Sequence, residues 1–177
     1  MSSLLTLTAE ISGNAGGVMF VVGSYFFYPK YDTACGVNSC SMYGAMLYVL
    51  GSICFFFTSC VNFYKINAIS CEDFSLTLNA ALYLVANFLF IIGSVLFIPI
   101  GQVYQPTAGI SLFMIGSLIC MIAPIFNIHR ARKQRQINTD YLTYVVECTM
   151  AVLYIGGSVF FLLGSIYYLP QLYRPFS

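Results

Sequence analysis

Five stretches of 20 residues or more, 9–28, 42–64, 76–98, 108–129 and 144–169, are almost free of charge and are separated by short polar or proline-containing segments. A helix rising about 1.5 Å per residue crosses a hydrocarbon core of about 30 Å in some 20 residues, so each stretch is long enough to span a bilayer. A membrane β-barrel would need segments of about ten residues with alternating polarity, and these runs do not alternate. The expected fold class is therefore all-α: an integral membrane protein whose residues 1–177 form one five-transmembrane-helix bundle. Composition agrees. The chain is 59% hydrophobic and 7% charged, with a mean hydropathy of +0.84, whereas soluble domains carry about 25% charged residues. A net charge of +1 speaks against nucleic acid as a partner. Residues 1–15 have neither a basic leader region nor the arginines of a transit peptide, so the first apolar stretch is expected to stay as a helix.

Loop charges set an orientation. Lys65, between the second and third spans, lies on one side with Arg130, Arg132, Lys133 and Arg135, between the fourth and fifth; the other side holds Lys30 and Arg174. Basic residues favour the inner side, so the N-terminus is expected inside and the C-terminus outside. Tyr25, Tyr28, Tyr31, Tyr104, Tyr167, Tyr168 and Tyr173 gather near the outer ends, where a ring with a polar tip suits the interface. Pro29, Pro99 and Pro170 are expected to end the outward-running helices.

Within the spans one pattern recurs five times. Gly-Ser stands at Gly23-Ser24, Gly51-Ser52, Gly93-Ser94, Gly116-Ser117 and Gly164-Ser165. Counting from that glycine, position −7 is small (Gly16, Gly44, Ala86, Gly109, Gly157) and position −3 is aromatic (Phe20, Tyr48, Phe90, Phe113, Phe161). Position +4 holds Phe27, Phe55, Phe97 and Tyr168, with Cys120 the exception. The first, third and fifth helices add proline at +6. The second and fourth share Asn62 and Asn127 at +11, then Lys65 and Arg130 at +14. The unit is thus a helical hairpin: hairpin 1 at 9–64, hairpin 2 at 76–129, and a half-repeat at 144–169 with no second helix.

Positions seven apart lie on one helix face. Small residues at −7 and 0 leave a shallow groove, and the aromatics at −3 and +4 form a ridge that fits a neighbour's groove. Helices in lipid gain little from hydrophobicity and associate through close packing, so these fifteen groove residues, the serines included, are expected to hold helices together.

The segment "ANFLFIIGSVLFIP…GISLFMIGSLICMIAP", within residues 86 to 124, resembles the YrhK-like domain, a short two-helix membrane domain, through its paired Leu-Phe and Gly-Ser elements in consecutive helices. Residues 18–60 resemble a looser second copy and 157–170 a first half, about two and a half tandem copies. The resemblance implies a membrane hairpin and no transferable activity. The half-repeat and the cysteine-bearing first loop depart from the family pattern.

The residues offer little chemistry. The single histidine, His129, follows the fourth span beside Arg130. Glu10 and Glu147 lie near inner helix ends, and a carboxylate inside a membrane is a functional candidate. Asn87, beside Ala86, is expected to make an interhelical hydrogen bond. Cys35 and Cys40 share an outer loop, where disulfides persist, and are expected to pair. Cys54, Cys60, Cys120 and Cys148 should act as small hydrophobes. There is no phosphate-binding loop or metal-ligand spacing, so neither catalysis nor a resident metal or cofactor is expected, though a bound lipid or pigment stays open. The expected partners are membrane lipid and other membrane-protein subunits. The expected role is an accessory or scaffold subunit of a membrane complex; the alternative is a small transporter or channel acting as a homo-oligomer.

Overall fold

The computed structural model describes residues 3–28, 39–69, 74–100, 105–135 and 141–173. They form five helices: α1 (Ser3–Phe26), α2 (Ser39–Ile69), α3 (Phe74–Leu96), α4 (Pro106–Arg135) and α5 (Tyr141–Tyr173), with no strand among the described residues. Each contains a segment long and apolar enough to cross a membrane: Leu4–Phe26, Cys40–Ala68, Phe74–Leu96, Pro106–Phe126 and Tyr144–Tyr167. The protein is an all-α, multi-pass membrane protein.

Several helices outrun their apolar stretches. At 31 residues, α2 is about 46 Å long, well beyond a hydrocarbon core of about 30 Å. The 30 residues of α4 carry its turns on through His129, Arg130 and Arg132 to Arg135. Hydropathy locates the part of a helix inside lipid, while helical hydrogen bonding continues into the interface where charged side chains meet water.

The first and third helices end alike. α1 stops at Phe26 and α3 at Leu96, each three residues before the proline at +6. Both close with a tight turn, Phe27 N–H to the Ser24 carbonyl (3.2 Å) and Phe97 N–H to the Ser94 carbonyl (3.1 Å), as helix ends commonly do. The Gln105 N–H then returns to the Leu96 carbonyl (2.9 Å) and caps α3. The fifth helix departs from this pattern: α5 runs through Pro170 to Tyr173 rather than ending there. Pro124, inside α4, is fully buried, and membrane helices tolerate such a proline where neighbouring groups resatisfy the backbone.

Packing follows chain order, α1 on α2, α2 on α3, α3 on α4 and α4 on α5. At the centre the five aromatics at −3 converge. Phe20 stacks on Tyr48 with centroids 4.9 Å apart; Tyr48 meets Phe113 at 5.9 Å, and Phe113 meets Phe90 at 5.8 Å. Phe161 touches Phe20, Phe90 and Phe113 at 5.7, 5.6 and 5.5 Å. Offset and edge-on arrangements at these distances are the favourable ones for aromatic pairs. Within each hairpin, α1–α2 and α3–α4, the antiparallel neighbours set −7 of one helix opposite 0 of the other, so −3 lies near the crossing point of the pair.

Candidate helix-docking site

The groove residues interlock reciprocally. A methyl built on Gly51 would stand 2.7 Å from the Phe20 ring and 2.9 Å from the Gly16 carbonyl oxygen, and one on Gly16 would stand 2.9 Å from the Gly51 carbonyl oxygen. Gly23 is covered by Tyr48 at 2.8 Å and Gly44 by Phe27 at 2.8 Å. The second hairpin repeats the scheme: Phe113 covers Gly93 at 3.2 Å, Phe97 covers Gly109 at 2.9 Å and Phe90 covers Gly116 at 2.6 Å. Ala86, the remaining small position, is fully buried. One rule describes every closed glycine at −7 and 0 of the repeat. The aromatic at −3 covers the antiparallel partner's glycine at 0, and the aromatic at +4 covers its glycine at −7.

These distances leave room for a hydrogen and for no carbon. In each reciprocal pair a glycine hydrogen points at the facing carbonyl oxygen, the geometry of the weak Cα–H···O contacts found where helices approach closely. Close approach maximises van der Waals contact, which is what holds helices together in lipid.

The fifth helix carries the same groove with nothing in it among the described residues. Among the described residues, no side-chain or facing backbone atom lies within 4 Å of a methyl built on Gly156, Gly157 or Gly164, and Gly157 and Gly164 are exposed. Phe161, between them in sequence, is nonetheless seated in the central aromatic cluster. The apolar stretch of α5 is the least covered of the five, 6% of it buried against 39% for α4. Its attachment runs along other residues: Ala151 is buried, and Tyr154 meets Tyr83 of α3 at 5.8 Å.

The serines bond mostly to their own helix. Ser24, Ser94, Ser117 and Ser165 each donate to the carbonyl four residues back, at 2.6–2.9 Å. Three reach another helix: Ser52 and Ser94 share a buried hydrogen bond of 3.0 Å between α2 and α3, and Ser24 meets the Tyr48 hydroxyl at 2.8 Å. Asn87, buried, donates to Ser59 Oγ at 2.7 Å and joins α3 to α2. Interhelical bonds of this kind contribute about 0.6 kcal/mol on average.

Some clasps had no distinguishing signal in the sequence. Thr58 donates to the Ala9 carbonyl (2.8 Å), Ser12 to the Cys54 carbonyl (3.2 Å), and Gly13 lies under Thr58. Small polar residues inside an apolar run look like neutral filler. The one available hint is that Tyr48 is the only −3 aromatic with a hydroxyl, and a buried hydroxyl needs a partner.

The remaining sequence candidates stay apart. Glu147 is half-buried on α5, while Glu10 and His129 are exposed. Among the described residues no three His, Cys, Asp or Glu come together. Cys54, Cys60, Cys120 and Cys148 are free thiols. Cys40 is fully buried at the start of α2. Cys35 lies outside the described residues, and with it the expected Cys35–Cys40 pairing.

The geometry defines a helical membrane protein built of interlocking antiparallel pairs. Residues 76–131, which comprise α3 and most of α4, match the family described as YrhK-like protein, in one copy. No curated protein and no solved structure matches the chain.

Proposed function

We propose that this protein is an accessory or scaffold subunit of a larger membrane complex and that α5 is the helix by which it is held. The observation that carries this reading is the contrast between glycines of one repeat: those of α1 to α4 are covered at 2.6–3.2 Å, while Gly157 and Gly164 face open space. The α1–α2 hairpin and α5 are read as further copies of the YrhK-like unit, since the interlock rule of residues 76–131 holds in α1–α2 as well. The chain is oriented with its N-terminus inside and its C-terminus outside, on the loop charges. Cys35 and Cys40 are paired on the outer side.

The test is a Gly157→Leu, Gly164→Leu double variant, tagged and extracted in mild detergent from the membrane where the protein resides. The wild-type chain should migrate with its partner in a fixed ratio. The variant should migrate alone, with little change in thermal unfolding, because among the described residues no side chain or facing helix lies within 4 Å of a methyl at either glycine. Association retained by a folded variant overturns the proposal.

A transporter or channel is the second reading. One observation favours it: the Tyr83 hydroxyl, inside a span, is buried without a hydrogen-bond partner among the described residues, an arrangement more costly in lipid than in water. Ion flux through reconstituted vesicles, abolished by Asn87→Leu or Glu147→Gln, would place this reading first.

A further inference from the structure

We infer that the occupant of the α5 groove is a transmembrane helix of another chain that runs opposite to α5. It carries a small residue, an aromatic four residues later, glycine three residues after that, and a second aromatic four residues beyond. This rests on the docking role proposed for α5 and specifies the partner's chemistry and direction.

The pattern is read from the filled copies. Within each hairpin the partner supplies an aromatic at −3 for the glycine at 0, and an aromatic at +4 covers each glycine at −7; Ala86, opposite a helix with Cys120 at +4, is the one position outside the scheme. The partners of α1 and α3 are antiparallel: Gly16 faces Gly51 while Gly23 faces Gly44, and Gly93 faces Gly109 while Phe90 covers Gly116. Successive spans alternate in direction, so α5 runs with α1 and α3 and presents their groove. Its complement is a helix of the α2 kind, since α4 has Cys120 where the second aromatic would stand. The new interface would also be continuous with an existing one, since Phe161 already packs with Phe20, Phe90 and Phe113.

A second copy of this chain does not fit. In a common membrane orientation its α5 runs parallel to the first, which cannot set −7 opposite 0 at both ends. Its α2 and α4 have their glycines already covered. The helix therefore belongs to a different protein.

The sequence of α2 supplies a probe because it holds the whole pattern in Gly44, Tyr48, Gly51 and Phe55. Tyr48 bonds Ser24 within the chain, and Ser165 holds the equivalent place on α5. A synthetic peptide of residues 39–66, with a fluorescent donor at its N-terminus, is added to the full-length protein in phosphatidylcholine vesicles. The acceptor sits at the protein's C-terminus or, in a parallel sample, its N-terminus.

The expected result is saturable energy transfer, stronger to the C-terminal acceptor. Binding should weaken at least tenfold with Gly157→Leu, Gly164→Leu protein and with a Gly44→Leu, Gly51→Leu peptide. Should the double protein variant misfold, Gly164→Ile alone serves. Stronger transfer to the N-terminal acceptor, binding indifferent to the glycine substitutions, or an α5–α5 dimer of the protein without peptide would overturn the inference. If the peptide does not bind while the native partner is still released by the same substitutions, the inference falls and the subunit role stands. If the native partner is retained as well, both fall.

Discussion

One methyl group should have opposite effects at two copies of the same motif. At Gly51 an alanine methyl would lie 2.7 Å from Phe20 and 2.9 Å from the Gly16 carbonyl, against the 3.4 Å at which ordinary contact begins. The ring can tilt, but the carbonyl belongs to helix backbone, so α1 and α2 must separate by about half an ångström. A gap of about 0.5–1 Å forfeits a quarter to a half of each contact's attraction, and overpacking of this kind costs about 1–3 kcal/mol. Alanine's better helix propensity returns about 0.5–1 kcal/mol. Gly51→Ala should thus destabilise by about 1 kcal/mol, the middle of those ranges. At Gly164 no described side chain or facing helix stands within 4 Å of the methyl, so only the propensity gain remains and Gly164→Ala should be neutral or stabilising. Both variants are unfolded by titrating sodium dodecyl sulfate into lipid–detergent micelles, with helicity followed by circular dichroism. A neutral Gly51→Ala, or equal destabilisation by both, would refute the interlock as the source of stability.

Phe113→Ala removes a ring that is 3% exposed and meets Phe90, Phe97, Tyr48 and Phe161; by core precedent it should cost about 3 kcal/mol or more in the same titration. Asn87→Leu removes the bond to Ser59 and should cost about 0.6 kcal/mol, at most about 1.7; a larger loss would mean the amide does more than join two helices. Tyr48→Phe leaves Ser24 its own-helix bond to the Phe20 carbonyl and should cost about 0.6 kcal/mol as well. Cys35 should resist a membrane-impermeant alkylating reagent until a reductant frees it from Cys40, which is itself fully buried; labelling of Cys35 without reductant would remove the proposed bond.

The groove and ridge were legible because they depend on a period. Residues seven apart share a helix face whatever their neighbours do, so Gly16 with Gly23, or Phe20 with Phe27, could be assigned to one stripe before any fold was known. Antiparallel pairing then follows from hairpin order. Helix ends were less legible: α5 runs through Pro170 although α1 and α3 stop before their prolines, and α4 continues through a run of basic residues that hydropathy counts as loop. The clasps at Ser12, Thr58 and Ser59 were not legible, since each depends on which residue of another helix happens to lie opposite. Nor could spacing alone reveal that Phe161 would reach the central cluster while the glycines on either side of it stay bare. That asymmetry between a seated ridge and an empty groove is visible only in three dimensions, and the docking role rests on it.

The most direct test of the account is the native mass and composition of the protein drawn from its own membrane in mild detergent. Migration within a larger assembly, in fixed ratio to a different membrane protein, is the predicted result. A monomer or a homo-oligomer would contradict the subunit role and turn attention to transport.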